Sequence, residues 1–549
     1  MAGILWDLYF RVGVPLRNLG LFTLFLCLSA PLFWFNRIGI DNLLLTGALV
    51  YLVVYRWRGG ILRLLVTLAL VGLMPLIKLT SGMIAVGALA GFLVDRAIHL
   101  RWRAWRYLVL VATVPTAVAG IGFYLTIPSF AAFATFVRGS MEISSGYSAA
   151  MSVPGPRIEL FAAFEALVLV GALLLIQARV IQISSTFLTL LLAMPLAISF
   201  KHGFVRQDYH TINFFCFCSL AIALISLSSS LRGWRLMAGV AIFLPFIIIW
   251  QDYVGTPLGL RTGVETITGV RGLRLAWNAG NTQHLKSSLR AEAESGYSAK
   301  LRVEPEVREA IGDATVTSMS VAYSGAVVLD SLRFVVYPMI ARVSAFTPFL
   351  DEVCATWVRE KGPRFIIFDG SSVDNRHPWA ETPAMWLEVY RWYDTRMLGK
   401  RNLLLERRSQ PRFSRLVPVD RFTIQLKSGF SLPQSQDAVF WTMSCRLNLA
   451  GKLQNLLFRL PPLTMEVQSP EGTRTNFRVL ADVLANPTLG STLPADLSQF
   501  ANLFGIDAHP KQTVQHLSFG TWLGPDKLVV GENRSYEPSC EVEFFRPSA

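Results

Sequence analysis

Five ionisable side chains crowd into one stretch, KHGFVRQDYH: Lys201, His202, Arg206, Asp208 and His210. Two apolar runs flank it, Thr186–Phe200 and Thr211–Leu227. With its flanks, each run is long enough to cross much or all of a bilayer. Charge at that depth is costly unless it faces a cavity, a partner or headgroups, so it marks a candidate functional site. The chemistry on offer is anion binding with proton transfer. Lys201 and Arg206, joined by Lys78 from another short turn, can hold a lipid phosphate at headgroup level. His202, Asp208 and His210 can orient a phosphate or an acceptor. Two carboxylates are candidate catalytic bases, Asp208 and Glu165. Glu165 lies inside an apolar run, about two turns from its outer end at ~1.5 Å per residue. It needs a partner, a proton or a wet cavity there, and Lys78, Lys201 and Arg206 are its natural partners. A plain structural ion pair is the alternative.

These groups must be positioned by membrane helices. The 549 residues are 52% hydrophobic and 16% charged, against roughly a quarter charged in soluble domains, and the imbalance sits before about residue 255. Nine apolar segments are expected there: Asn18–Phe35, Asn42–Tyr55, Ile61–Ile77, Thr80–Val94, Tyr107–Ile127, Leu160–Leu175, Thr186–Phe200, Thr211–Leu227 and Leu236–Trp250. The pair around Lys78 is compatible with a re-entrant hairpin. Arginines gather in alternate loops (Arg56, Arg58 and Arg63; Arg96, Arg101, Arg103 and Arg106; Arg179; Arg232 and Arg235), as the positive-inside rule asks of the cytoplasmic side. The remaining face then collects Lys78, a long loop Pro128–Ile158 containing GSMEISSGYSAAMSVPGP, and the 201–210 turn. That loop suits a ligand cover, with Tyr147 as a contact, or a solvated connector. Met1–Leu16 lacks the form of a cleavable signal peptide.

The remainder has ordinary charge density and is expected outside the cytoplasm. Short β-rich runs (Val316–Ser320, Leu332–Tyr337, Phe365–Phe368, Leu403–Glu406) alternate with helical ones (Val307–Gly312, Thr347–Lys361, Pro383–Arg396), which indicates an α/β layer. FIIFDG ends in Asp369 at the carboxyl edge of the sheet, where α/β ligand sites gather. SSVDNRHP comes next, so Asp369, Asp374, Arg376 and His377 form an ectodomain candidate; turn capping is the plainer reading. From Arg421 on, TIQL, AVFWTMSC, LTMEVQ, TNFRVL, HLSFGTW and CEVEFF are short strands between turn residues, a β-sandwich pattern, with Leu497–Phe504 helical. The expected architecture is a polytopic α-helical membrane domain of about nine helices (residues 1–255), an extracytoplasmic α/β domain (256–415) and a β-sandwich-like domain (416–549).

Several functions gain no support. No P-loop, GxGxxG, GxSxG or HExxH occurs. The net charge of +14 suits a membrane protein meeting anionic lipid. Without a basic stripe interleaved with aromatics, it gives no nucleic-acid partner. No cofactor motif is present, although a divalent metal is compatible with phosphate chemistry. Of six cysteines, Cys27, Cys216 and Cys218 lie in apolar helices, and a Cys445–Cys540 disulfide fits a tail in an oxidising compartment. Asn533-Arg534-Ser535 fits the N-glycosylation pattern.

In LIKLTSG (Leu76–Gly82), GYSAAMS, KHGFVRQDYH and IIFDGSSVDNRHP the chain resembles bacterial membrane glycosyltransferases of the GT-C class. The resemblance implies transfer of a sugar from a polyprenyl-phosphate donor, on the outer face of the bacterial inner membrane, to an envelope glycan or lipid. That class usually carries an acidic pair in its first outer loop. Here that loop is Arg37–Asp41 and offers Asp41 alone, so the expectation is either that the chain lacks an N-terminal part that held the catalytic acid or that it is not a transferase. The rival expectations are a non-catalytic envelope protein whose ectodomain binds a glycan or partner enzyme, and a transporter. Against the transporter, no matched Gly/Pro breaks mark corresponding halves.

Overall fold

The structure is a computed structural model that describes residues 18–23, 40–127, 129–180, 184–208 and 210–228, parts of 283–291, and 302–548 with short interruptions. Most of the first apolar segment, all of Leu236–Trp250, and Asn533 lie outside the described residues. Two compact units emerge. One joins Met1–Val137 with Val153–Thr282; the other joins Arg138–Ser152 with Gln283–Ala549.

The first unit is helical. Its elements are α1 (Ile40–Arg58), α2 (Ile61–Ile77), α3 (Leu79–Leu100), α4 (Trp105–Thr126), the start of α5 (Phe130–Met151), α6 (Arg157–Val180), α7 (Ser184–Val205) and α8 (Thr211–Ser228). Among the described residues three stretches are long and apolar enough to cross a membrane: Leu79–Thr126, Arg157–Ile176 and Thr186–Val205. The first contains two helices of 22 residues each, α3 and α4. Ile61–Ile77 and Thr211–Leu227 are shorter apolar helices. Small residues set the closest packing. A Cβ on Gly91 would stand 2.0 Å from Leu190 O, and one on Gly87 3.0 Å from Met194 Cγ. This Gly-x-x-x-Gly face lets α3 and α7 approach backbone to backbone.

The second unit contains a five-stranded mixed sheet in the order β2-β1-β3-β5-β4, built from β1 (Thr315–Ser318), β2 (Arg333–Phe334), β3 (Phe365–Phe368), β4 (Tyr393–Leu398) and β5 (Leu403–Arg407). β1 runs parallel to β2 and β3, while β5 is antiparallel to both its neighbours. Every residue of β3 is buried, which explains its unbroken FIIF. Helices α9 (Pro305–Ile311), α10 (Pro348–Lys361), α11 (Pro378–Glu381) and α12 (Pro383–Trp392) belong to the same layer. The expected helix Pro383–Arg396 is shorter: it stops at Trp392, and Tyr393 opens β4. Thr395 and Met397 then pair with Leu405 and Leu404 of β5, so cross-strand pairing overrides a helix-compatible composition.

Two antiparallel sheets complete the unit as a sandwich. One has the order β10-β9-β12-β13, with β7 on β12; the other has the order β11-β8-β14-β6. The strands are β6 (Arg415–Gln425), β7 (Phe430–Ser431), β8 (Phe440–Ser444), β9 (Leu463–Gln468), β10 (Arg474–Val479), β11 (Thr488–Leu489), β12 (His516–Trp522), β13 (Leu528–Val529) and β14 (Ser539–Ser548). Two helices accompany them, α13 (Leu449–Leu457) and α14 (Leu497–Leu503). Sheet layer and sandwich share a core, in which Trp379, Trp386 and Tyr390 pack with Phe440, Phe500 and Phe504. The Cys445–Cys540 disulfide is formed, at the end of the β8–β14 ladder.

Asp351 joins two helices of this unit. It is fully buried in the first turn of α10 and accepts hydrogen bonds from Ala384 N (2.8 Å), Met385 N (3.1 Å) and Asn486 Nδ2 (2.8 Å). The two backbone donors lie in the first turn of α12, where a helix leaves N–H groups open. Burial drives the carboxyl up to about 7, against the pull of those three donors. A carboxyl raised on folding holds its proton in the folded state after the unfolded chain has lost it. Its contribution therefore falls as pH rises from about 4 to about 7 and is level above. The stability difference between wild type and Asp351→Asn should change by about 1.4 kcal/mol per pH unit in that window. Thermal unfolding of the second unit in detergent-solubilised protein, measured from pH 4 to 8, checks it.

Candidate functional site

Helix packing brings the charged turns of the first unit together. Gly91 meets Leu190 and Gly87 meets Met194, so α3 and α7 run antiparallel. Continuing that register puts the start of α3 level with His202, and Lys78 is the extended residue immediately before α3. The charges of Lys78 and His210 both act on His202, and the His202 and His210 rings meet edge to face at 6.3 Å. His202 lies in the last turn of α7 with Lys201 just before it, and cations there favour the negative end of the helix.

Asp208 organises the turn between α7 and α8. Its Oδ2 accepts from Arg206 Nε at 2.7 Å; its Oδ1 takes the backbone N–H of His210 at 3.0 Å and meets His210 Nδ1 at 2.5 Å. Thr211 closes the turn by donating its N–H and its hydroxyl to Asp208 O, at 3.1 and 3.0 Å. Burial pushes the Asp208 carboxyl up, but His210 and Arg206 outweigh it and hold it below its usual value. Asp208 is thus an anion that orients an imidazole and a guanidinium. The turn is also strapped to the segment before α6. Val153 N donates to Val205 O (3.1 Å), Gln207 N to Val153 O (2.9 Å) and Gln207 Nε2 to Pro156 O (2.6 Å).

Glu165 stands apart from this cluster. It is exposed on α6 beside Phe161, Phe164 and Val168, and no described hydrogen bond or ion pair links it to Lys78, Lys201 or Arg206. The acid nearer the turn along the chain is Glu159, buried in the first turn of α6 three residues after Pro156. In the sequence Glu159 reads only as a loop charge. Asp95 gives no signal there either, yet it is fully buried near the other end of α3 and pairs with Arg56 Nε at 3.1 Å, with Arg96 and with His99. Sixteen residues separate Leu79 from Asp95, about 24 Å of helix between a cationic end and an ion-paired end.

Tyr147 belongs to the second unit. The expected long loop is a helix: α5 runs from Phe130 to Met151 despite its Gly and Ser. A mid-helix Gly costs about 1 kcal/mol, and packing repays it. Gly146, Ser148 and Ala150 are buried; a Cβ on Gly146 would stand 2.7 Å from Phe346 Cβ, and the Tyr147 ring lies 6.1 Å from the Phe346 ring. Tyr147 is therefore a packing residue of α5.

The candidates of the second unit are taken up by local structure: Asp369, Arg376 and His377 hold backbone, and Asp374 faces arginine side chains. Asp369 accepts from Ser371 N (3.0 Å) and Ser371 Oγ (2.5 Å), capping the turn after β3. His377 meets Pro494 O through Nε2 at 2.9 Å and caps α11 by accepting from Trp379 N at 3.3 Å. Burial lowers it to about 4, so it is neutral at pH 7. Arg376 and Arg478 both donate to Ala150 O, and Arg478 also donates to Ala149 O at 3.1 Å. Those carbonyls lie in the last turn of α5, where a helix leaves acceptors unmet. Asp374 lies 3.4 Å from Arg478 Nη1, and Glu381 pairs with Arg376 at 3.5 Å and with Arg342. Three arginines face two carboxylates, and the helix C-terminus supplies partial negative charge for the excess. The geometry is that of a buried clamp on a helix end.

Among the described residues no group of three His, Cys, Asp or Glu is placed to hold a metal ion. No family model, curated protein or solved structure matches the chain.

Proposed function

We propose that this chain is an integral membrane glycosyltransferase-like protein of the GT-C type, transferring a sugar from a polyprenyl-phosphate donor to an envelope glycan or lipid at the outer face of a bacterial inner membrane. The reading rests on one observation: Lys78, Lys201, His202, Arg206 and His210 gather at one end of apolar helices, where Arg206 and His210 pair with the Asp208 anion. The disulfide in the second unit supports an extracytoplasmic tail, because such bonds persist in oxidising compartments. Lys201, Lys78 and Arg206 would neutralise the donor phosphate as the sugar leaves, which is electrostatic stabilisation of developing charge. His210, oriented by Asp208, would accept the proton of the attacking hydroxyl. Asp208 is then a positioning residue, and Glu165 has no part in the step.

The test uses the full chain in nanodiscs with a polyprenyl-phosphate-linked sugar. Each charge-assisted contact contributes about 1.5–3 kcal/mol, so Lys201→Ala and Arg206→Ala should each weaken binding of polyprenyl phosphate roughly 10- to 100-fold. His210→Ala should abolish transfer while sparing binding. Unchanged phosphate binding in both cation variants overturns the site. Binding without turnover by the wild type overturns the enzyme and leaves an envelope protein that binds its partner without catalysis.

A further inference from the structure

Helix α13, LAGKLQNLL, is mounted the wrong way round for a surface helix. Its buried contact is Gly451, where a Cβ would stand 2.0 Å from Ser535 O. Polar bonds hold it there: Asn448 caps it by accepting from Gly451 N at 2.8 Å and donates to Arg534 O at 2.8 Å, and Ser535 Oγ bonds Gln454 Oε1 at 3.1 Å. The Cys445–Cys540 disulfide anchors the chain three residues before the cap. The opposite side of the helix is apolar and open. Leu449, Leu453, Leu456 and Leu457 are 74%, 50%, 68% and 69% exposed. At about 100° per residue they fall within one arc of roughly 100°, diametrically across from Gly451. Four exposed leucines on one short helix forgo about 1.5–3 kcal/mol each if water is their partner.

Two observations say what covers them. The first is chain connectivity. Just beyond α13, Leu460 O accepts from the buried Ser152 Oγ at 2.7 Å, and the span Arg157–Ile176 begins five residues after Ser152. Those five residues reach at most about 17 Å even when fully extended. The second is charge. Arg446 and Lys452 are exposed, one two residues before the Asn448 cap and the other in the first turn of α13. Apolar residues on one side of a helix and cations at its flanks are the recipe for lying in a headgroup boundary.

We infer that Leu449, Leu453, Leu456 and Leu457 form a lipid-facing stripe by which α13 lies in the headgroup–acyl boundary of an anionic leaflet. The inference rests on the apolar spans and not on sugar transfer. It fixes the second unit against the bilayer at a point held by a disulfide.

The test places an environment-sensitive fluorophore on Leu456→Cys, and separately on Val419→Cys, an exposed position on β6 of the same unit. The full-length protein carries Cys27→Ser; Cys216, Cys218 and Cys354 are buried. It is reconstituted in vesicles of phosphatidylcholine and phosphatidylglycerol. Quenching by doxyl-labelled lipid should be about threefold stronger at 456 than at 419, with iodide quenching in the reverse order. Iodide access at 456 equal to that at 419 overturns the inference, since the stripe would then face water. Protection from both quenchers also overturns it, because protein would then cover the leucines. Thiol trapping that finds Cys445–Cys540 intact in both variants shows that the labelled chains are folded.

Discussion

Glu381→Ala should destabilise the second unit rather than disable a binding site. Glu381 is 1% exposed and faces Arg342 and Arg376, themselves 2% and 4% exposed. Arg342 also donates to Met319 O at 3.0 Å and Ser371 O at 2.7 Å, so it joins the ends of β1 and β3 to α11. Removing the carboxylate leaves two guanidinium groups without their shared counter-charge inside a core. Breaking one side of a buried pair costs about 3–5 kcal/mol, a large share of the 5–15 kcal/mol that holds a typical domain. Urea unfolding read by the buried Trp379 and Trp386 should shift by that amount. Glu381→Gln keeps the shape and loses the charge, and should fall between. A combined Arg376→Met/Glu381→Leu variant should lose less than the sum of the single changes, because the two side chains form one unit. A Glu381→Ala protein as stable as wild type, with only ligand binding lost, would sink the clamp and restore Asp374, Arg376 and His377 as an open site.

Reducing the disulfide, or replacing Cys445 by Ser, should cost nearly as much. The bond closes a loop of 95 residues, and constraining an unfolded chain over such a length is worth about 4–5 kcal/mol. The loss should be the same for Cys445→Ser as for wild type in reductant, since the third cysteine of this unit does not exchange. Cys354 is fully buried, and burial raises its thiol to about 12, so thiolate is scarce at neutral pH. Chemical denaturation with and without reductant measures the effect. Trapping of free thiols in intact cells adds the compartment: a tail facing the cytosol would present Cys445 and Cys540 reduced, and the extracytoplasmic assignment would fall.

How far the sequence reached depends on the range of the forces involved. Strand alternation and turn residues are local, so FIIF and Leu403–Glu406 appear as β3 and β5, the later runs from TIQL to CEVEFF fall on β6, β8, β9, β10, β12 and β14, and α10 and α14 begin at their Thr347 and Asp496 caps. Apolar run length is local as well, and α2, α3, α4, α6, α7 and α8 overlie expected segments. The crowding of charge at residues 201–210 is visible for the same reason. Partners are not. Arg376 and Arg478 lie about a hundred residues apart in sequence, yet they bridge through their backbones and both donate to the end of α5. Glu165 reads as a buried acid because its run is apolar all round, whereas the fold turns it outward and buries Glu159 and Asp95 instead. The Gly- and Ser-rich part of α5 reads as a loop because propensity is per residue, while Phe346 needs small side chains in a regular array to pack against. The sequence by itself determined which segments are apolar, which alternate and where charge is dense, since those properties come from residue type and spacing. Which charges neutralise one another and which leucines are exposed came from the fold, because both depend on chain segments meeting across long separations in sequence.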